Sequence, residues 1–298
     1  MRLLSGIVAL LAGALAIGVA PAQSPISNMH GGGPSNCPQA SSYLAAVSID
    51  PAHAAAAATL ICSAVTNAYY PFIGGLYLFA TADATSALVN AANPGTCNGT
   101  AHGAPAFSAN HGYTGVDGSS TVYIDTGCTL ANFGATVGNV GGGLFVWSNT
   151  NVTPATGGVA IGATTGAGCT NGAMLAERLP TGKAAAAAFT TTRFTTVSSP
   201  PSATGAFLAG NTTTFVSLIQ DAGYLGVGGP LTASADPAAT VAILACNSGG
   251  TITLGDPNEI AVAMVFNYGG IANTTTATLI CHDVNVYLTA LNGAASIC

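Results

Sequence analysis

The stretch at residues 106–127, AFSANHGYTGVDGSSTVYIDTG, decides the fold. Two clusters, Asn110-His111-Gly112 and Asp117-Gly118-Ser119-Ser120, precede a β-branched and aromatic run, Thr121-Val122-Tyr123-Ile124. Glycine reaches positive φ without steric cost, and Asn or Asp side chains bond back to their own backbone, so the clusters read as turns. The run that follows reads as a strand. The same grammar recurs between Cys97 and Tyr268. Apolar runs at 121–124, 144–147, 159–161, 173–179, 206–209, 215–219, 224–227, 241–245 and 260–266 alternate with turn-rich segments. Gln220-Asp221-Ala222-Gly223 joins two of them as a hairpin. Many short strands with Gly-rich turns predict an all-β sandwich or barrel. A β-helix is the competing architecture, and the lack of a fixed-period repeat counts against it.

Helical signals lie on either side. Asp50 is a good N-cap and Pro51 suits the first helical position. Ala57, Leu60, Ile61, Ala64, Val65 and Ala68 recur at helical spacing, and Pro71 is the expected stop. Residues 76–79 (LYLF) read as a short strand and 83–92 as a short helix closed by Asn93-Pro94-Gly95. Near the end, Ala277, Ile280, Cys281, Val284, Tyr287, Leu288 and Leu291 form one apolar stripe, with Asn292-Gly293 as a stop. The two long helices are expected to dock at the edge or end of the sandwich.

Residues 1–22 read as a secretory signal peptide: Arg2, an apolar run over 3–19, then Ala20-Pro21-Ala22 as a small-residue cleavage site. The competing reading is an uncleaved anchor, for which the apolar run sits near the lower limit of a bilayer span. No later stretch is long, apolar and free of turn residues, so no membrane span is expected after cleavage. Residues 23–42, rich in Pro, Gly, Ser and Asn, read as a flexible arm. Residues 43–95 follow as a helical cap leading into the sandwich, 96–292 as the sandwich with its C-terminal helix, and 293–298 as a tail.

Beyond the leader, Arg178, Lys183 and Arg193 stand against ten acids, leaving −7 formally. That excludes a nucleic-acid partner, which needs a basic surface. Charged residues make up 5% of the chain, against roughly 25% in ordinary globular proteins. With so few carboxylates to lose, stability is expected to depend weakly on pH, as suits an acidic or harsh extracellular setting. Eight cysteines (Cys37, Cys62, Cys97, Cys128, Cys169, Cys246, Cys281 and Cys298) all lie past the leader, and an even count in an exported chain implies disulfides. They allow 105 pairings, among which sequence does not choose. Cys37–Cys62, Cys97–Cys128, Cys169–Cys246 and Cys281–Cys298 is the guess that joins neighbouring elements. There is no CxxC and the histidines are scattered, so a zinc site is not expected. No Walker A loop, dinucleotide fingerprint or G-x-S-x-G elbow is present, and no cofactor is expected.

Several segments together resemble a known group. Leu76-Tyr77-Leu78-Phe79-Ala80-Thr81-Ala82-Asp83, Ala101-His102-Gly103-Ala104-Pro105-Ala106-Phe107, Gly112-Tyr113-Thr114-Gly115 and Tyr123-Ile124-Asp125-Thr126-Gly127 occur in that order. Phe145-Val146-Trp147-Ser148-Asn149-Thr150, Asn247-Ser248-Gly249-Gly250 and Glu259-Ile260-Ala261-Val262-Ala263 continue it. The chain resembles, over about residues 43–292, uncharacterised bacterial and prophage proteins with a concanavalin A-like, LamG-type jelly-roll domain. The resemblance implies a jelly-roll β-sandwich with a carbohydrate-binding, adhesive or structural role, an analogy at fold level. The export signal, the cysteines and the shortage of charge depart from that group and favour a secreted or cell-surface setting.

Glycoside hydrolysis needs two carboxyl groups. The glucanases of the resembled fold carry them as E-x-D-x-x-E, and no such motif occurs here. The only glutamates are Glu177 and Glu259, far apart in sequence, and folding is required to pair either with Asp125 or Asp256. They are the alternative catalytic candidates. For glycan binding, Trp147 with Asn149, and Tyr113 and Tyr268 beside glycines, are the candidate ligand residues, although Trp147 ends an apolar run and reads better as core. A calcium ion on Asp117 and Asp125 is disfavoured because the carboxylates are isolated. The expected function is non-enzymatic: binding glycan or copies of the same chain, the low charge offering little repulsion to self-association. The alternative is a secreted carbohydrate-active hydrolase.

Overall fold

The computed structural model describes residues 37–136, 141–191, 194–195, 202–211, 215–228, 232, 235–293 and 297–298. The leader at 1–22 and the arm up to residue 36 lie outside the described residues. Four helices are present among them: α1 (Pro38–Ala46), α2 (Pro51–Thr66), α3 (Ala84–Ala87) and α4 (Thr274–Asn292). The strands in chain order begin with β1 (Ile73–Leu78), β2 (Thr100–His102), β3 (Ala106–Ser108), β4 (Gly112–Thr114), β5 (Tyr123–Thr129) and β6 (Gly143–Ser148). Next come β7 (Ile161–Gly166), β8 (Thr170–Ala176), β9 (Ala185–Thr190), β10 (Phe194–Thr195), β11 (Gly205–Asn211) and β12 (Val216–Gln220). Then follow β13 (Gly223–Gly228), β14 (Thr240–Ile243), β15 (Cys246–Ser248), β16 (Thr251–Thr253) and β17 (Glu259–Phe266).

Two sheets form a jelly-roll-like β-sandwich. The first runs β13-β12-β11-β6-β17-β4-β3, with β1 also on β17; the second runs β10-β9-β8-β7-β14-β5-β2, with β15 on β7 and β16 on β15. Side chains alternate faces along a strand. In β17, Ile260, Ala263 and Val265 point at the second sheet, while Val262, Met264 and Phe266 point outward. Leu144 and Val146 of β6 likewise face in, and Phe145 and Trp147 face out. Both faces are apolar because both are covered, which explains why these strands read as unbroken apolar runs.

The outer cover of the first sheet is α1, α2 and α4. Leu60, Ile61, Ala64, Ile280, Val284, Tyr287 and Leu288 share one core with Phe145, Trp147, Leu208 and Met264. The long helices therefore lie flat on a sheet face, not at the edge or end expected from sequence. An apolar strand face left bare would be costlier than an uncovered edge, and the helical stripes are the matching surface. Asp283, buried in α4, accepts hydrogen bonds from Asn67 Nδ2 (2.8 Å) and Tyr69 Oη (2.9 Å), tying the end of α2 to α4.

Asp50 caps α2 as expected, accepting from the N–H groups of Ala52 and His53. The helix stops at Thr66, short of Pro71, where Asn67 N–H turns back to Ser63 O and Val65 O and Ala68 adopts φ 61°. Pro71 sits instead in a 3₁₀ turn. Within the expected arm, α1 begins at Pro38, next to the Cys37–Cys62 bridge. The 83–92 helix is a single turn, α3, capped by Asp83. Only the end of the 121–124 run is strand, since β5 starts at Tyr123 and continues to Thr129. The largest omission is β9. Its alanines carry neither β-branching nor period, yet all six of its residues are buried between two covering layers.

Asp221 and Ala222 form the two-residue turn between β12 and β13, with φ 46° and 67°. At the bulge in β1, a Cβ on Gly74 would stand 2.1 Å from Phe133 O, so only glycine admits that close approach. The four disulfides are Cys37–Cys62, Cys97–Cys128, Cys169–Cys246 and Cys281–Cys298, as guessed. Among the described residues no helix is long and apolar enough to cross a membrane.

Candidate functional site

Three groups of side chains have chemistry to offer. The first lies where β4, β6 and β17 end. Glu259 opens β17 opposite Thr114 of β4. Its Oε1 accepts from Asn149 Nδ2 at 3.2 Å and lies 3.6 Å from His111 Nδ1. Asn149 Nδ2 also donates to His111 O (2.8 Å), and Asn149 N–H to Glu259 O. The β3–β4 turn, with Asn110 at φ 67°, delivers His111 to this rim. Its other side faces α2, where His53 bridges Asp50 and Asn110 Oδ1. The His111 side chain is 51% exposed and that of Glu259 15%. This is a polar rim able to accept from and donate to hydroxyl groups. The partners of Glu259 are an imidazole and an amide, with no second carboxyl among them, so the two-carboxyl geometry of glycoside hydrolysis is not assembled there.

The second group is the pair Glu177 and Asp256, both fully buried. The two glutamates are not brought together; Glu177, just past β8, meets Asp256 in the connection from β16 to β17. Asp256 Oδ1 accepts from Asn258 N–H (3.2 Å) and Nδ2 (3.1 Å). Among the described residues, Asp256 Oδ2 and both Glu177 oxygens find no hydrogen bond of good geometry. Burial and then the facing Asp256 hold the Glu177 carboxyl well above the ordinary range. Burial also raises Asp256, against the opposing bonds from Glu177 and Asn258. A nearby pocket of about 220 Å³ is lined by Thr156, Gly157, Leu179, Pro180, Thr181 and Leu254, with neither carboxyl on its wall. A polysaccharide cannot reach this pair in the folded protein.

The third group is aromatic. Trp147 is 3% exposed and lies beneath the helices, so packing removes it as a sugar platform. Tyr113 is 2% exposed rather than displayed; its ring packs on Phe79 and Phe107, and its hydroxyl donates to Ala84 O. The glycine beside it marks a strand start, not an open turn. Tyr268 is exposed as expected (37%), and Phe72, equally exposed, stands beside it at 5.2 Å between ring centroids and 34° between planes. Asn267 adjoins them, its Nδ2 directed at Pro71 O. Phe72 went unnoticed because it sits in the short turn assigned to ending α2; the Tyr-Pro-Phe sequence carries no signal that its ring faces out.

Asp117 is committed elsewhere. Burial works against its charge, but the N–H groups of Ala155, Gly157 and Thr156 hold its carboxyl below the ordinary value. Asp125 accepts from Gly127 N–H. No cluster of three metal-ligating side chains occurs among the described residues.

No protein-family model matches the chain, and no curated protein does. Among solved structures it is similar to a sialidase of Trypanosoma rangeli at 11% identity and TM-score 0.46, over 71% of this chain and 33% of that one. A mutant of the same sialidase displaying trans-sialidase activity matches at 13% identity and TM-score 0.48, over 71% and 33%. The CBM40 of a Ruminococcus gnavus IT-sialidase matches at 10% identity and TM-score 0.41, over 63% of this chain and all of that one. The chain spans about a third of the length of the sialidases it matches. The likeness is confined to the layout of strands.

Proposed function

We propose that this is a secreted or cell-surface, non-enzymatic protein that binds glycan. The observation that carries the reading is the exposed Phe72–Tyr268 pair with Asn267 beside it. Two rings held at a fixed angle offer an apolar face for a pyranose at little entropic cost, and an amide supplies direction. Four disulfides and a surface almost without charge suit an extracellular setting. The carboxyls that a hydrolase would use are either sealed, as Glu177 and Asp256, or single, as Glu259.

The test is retention on a glycan array and in polysaccharide gels, run beside a polysaccharide-release assay. Retention without release is expected. Truncating Tyr268 or Phe72 to Ala removes a stacking contact of roughly 1 kcal/mol and should weaken retention about fivefold to tenfold. Unchanged retention in the double variant sinks the platform, and release of soluble sugar sinks the non-enzymatic reading.

A second reading, assembly with copies of itself, has its own support. Edge strand β13, GYLGVG, is uncharged and carries Tyr224 and Val227 half exposed. An edge without charge or proline invites pairing. Concentration-dependent growth in light scattering without glycan retention would favour it.

A further inference from the structure

We propose that Glu177 is a structural carboxylic acid sharing one proton with Asp256, and that this pair makes the fold acid-adapted, its seam loosening as pH rises. The seam is where three connections meet. Asp117 gathers the N–H groups of Ala155, Thr156 and Gly157. Gly118 N–H and Gly158 N–H both donate to Gly255 O, at 2.9 and 3.0 Å. Asn258 Oδ1 takes Val152 N–H (2.8 Å), while its Nδ2 donates to Val152 O (3.1 Å). Asp256 N–H is held by Leu244 O. Glu177 and Asp256 lie inside this stitching with no exposed surface.

Two ionised carboxylates cannot occupy such a place. Each would lose its hydration, and they would repel one another. A single shared proton resolves most of the conflict. Asp256 is the better anion, because Asn258 gives its Oδ1 two hydrogen bonds. Glu177 is offered only its own backbone N–H, so it is the acid, and its O–H donates to Asp256 Oδ2, which otherwise finds no bond of good geometry. Among the described residues, the charge that acts on the pair from outside is itself negative. Asp117, facing from the connection after β4, adds negative charge. Arg178, next along from Glu177, directs Nη1 at Thr153 Oγ1.

The sign follows from linkage. A carboxyl whose proton affinity is higher in the folded chain contributes fully at acid pH. That contribution is lost as pH rises from the ordinary carboxylate range through the folded value. The expectation of weak pH dependence from low charge therefore gives way here: carboxyls are few, but these two are buried.

The experiment uses the full chain. Urea unfolding of wild type, Glu177→Gln and Asp256→Asn is followed from pH 4 to pH 9, with the infrared C=O stretch of a protonated carboxyl recorded at pH 7. Wild type should lose stability toward alkaline pH. Glu177→Gln, which keeps the shape of the protonated acid, should flatten the profile. Relative to wild type, its folded-to-unfolded ratio should rise more than about tenfold between pH 5 and pH 8, tenfold being one unit of proton affinity. Asp256→Asn should flatten it as well. A carboxylic band at pH 7 in wild type, absent from Glu177→Gln, supports the shared proton even if one variant fails to fold. Three results overturn the proposal: equal slopes in wild type and Glu177→Gln, no such band at pH 7, or calcium stabilising chelator-treated wild type at pH 7 but not Glu177→Gln, which would make the pair a cation site.

Discussion

Replacing Leu60 with Ala tests whether the helices seal the first sheet. Leu60 is 1% exposed on α2, in the core that includes Trp147 and Met264. Alanine is the stronger helix former, so the helix itself is not weakened and any loss reports packing. Three buried carbons at roughly 0.8 kcal/mol each set a floor near 2.4 kcal/mol. The incompletely collapsed cavity adds to it, giving about 3–4 kcal/mol. With a urea dependence of about 3 kcal/mol per molar, the midpoint should fall by roughly 1 M. Trp147, the single tryptophan, sits in the same layer and makes its fluorescence the direct readout. Thr59 is the control, exposed on the same helix with its hydroxyl bonded back to Ala55 O. Thr59→Ala should change stability by no more than about 0.5 kcal/mol. A loss below about 1 kcal/mol at Leu60, or equal effects at the two sites, would refute the helix-on-sheet layer.

The β12–β13 turn has two non-glycine residues at positive φ. Ala222→Gly should therefore stabilise the fold by about 0.5–1 kcal/mol in the same urea assay. Burial pushes the Asp221 carboxyl up to about 6, against the hydrogen bond from Ala206 N–H. Its contribution is whole below the ordinary aspartate range and lost as pH climbs toward 6, so Asp221→Asn should remove that part of the acid-to-neutral slope. Cys169–Cys246 closes the longest loop, 77 residues apart. By the chain-entropy estimate, replacing both cysteines with Ser should cost about 4.5 kcal/mol, more than removal of any other bridge. Calorimetry of the four double variants would expose a different order.

The strands that were legible carry β-branched or aromatic residues between glycine turns, as at β6, β12 and β17. Those that were not, β9 above all, are made of alanine, whose placement is decided by the layers around it and not by local preference. The helical stripes of α2 and α4 were plain from spacing, but spacing cannot say whether a stripe meets a sheet face or a sheet edge. For the site, Glu259 and Asn149 were found without their neighbour His111, because a hairpin turn brings it to the rim. Asp256 was one of two partners open to Glu177. The enclosure of Asp256 is invisible in sequence, because a lone carboxylate in a turn-rich segment reads as solvent-facing, and the apolar run that ends at Glu177 does not say which elements close over it. Tyr113 shows the reverse error: aromatic character beside a glycine does not tell display from packing, whereas the apolar run that Trp147 ends did point to the core.

The order of the bridges has a consequence for biogenesis. Each cysteine joins the next along the chain, first to second, third to fourth and onward, so no loop encloses or interlaces with another. A polypeptide threading out from its amino end would present thiols two at a time, and the first partner to emerge is always the native one. If the chain is exported, oxidation would then keep pace with its emergence, pair by pair, without an isomerase to undo wrong choices.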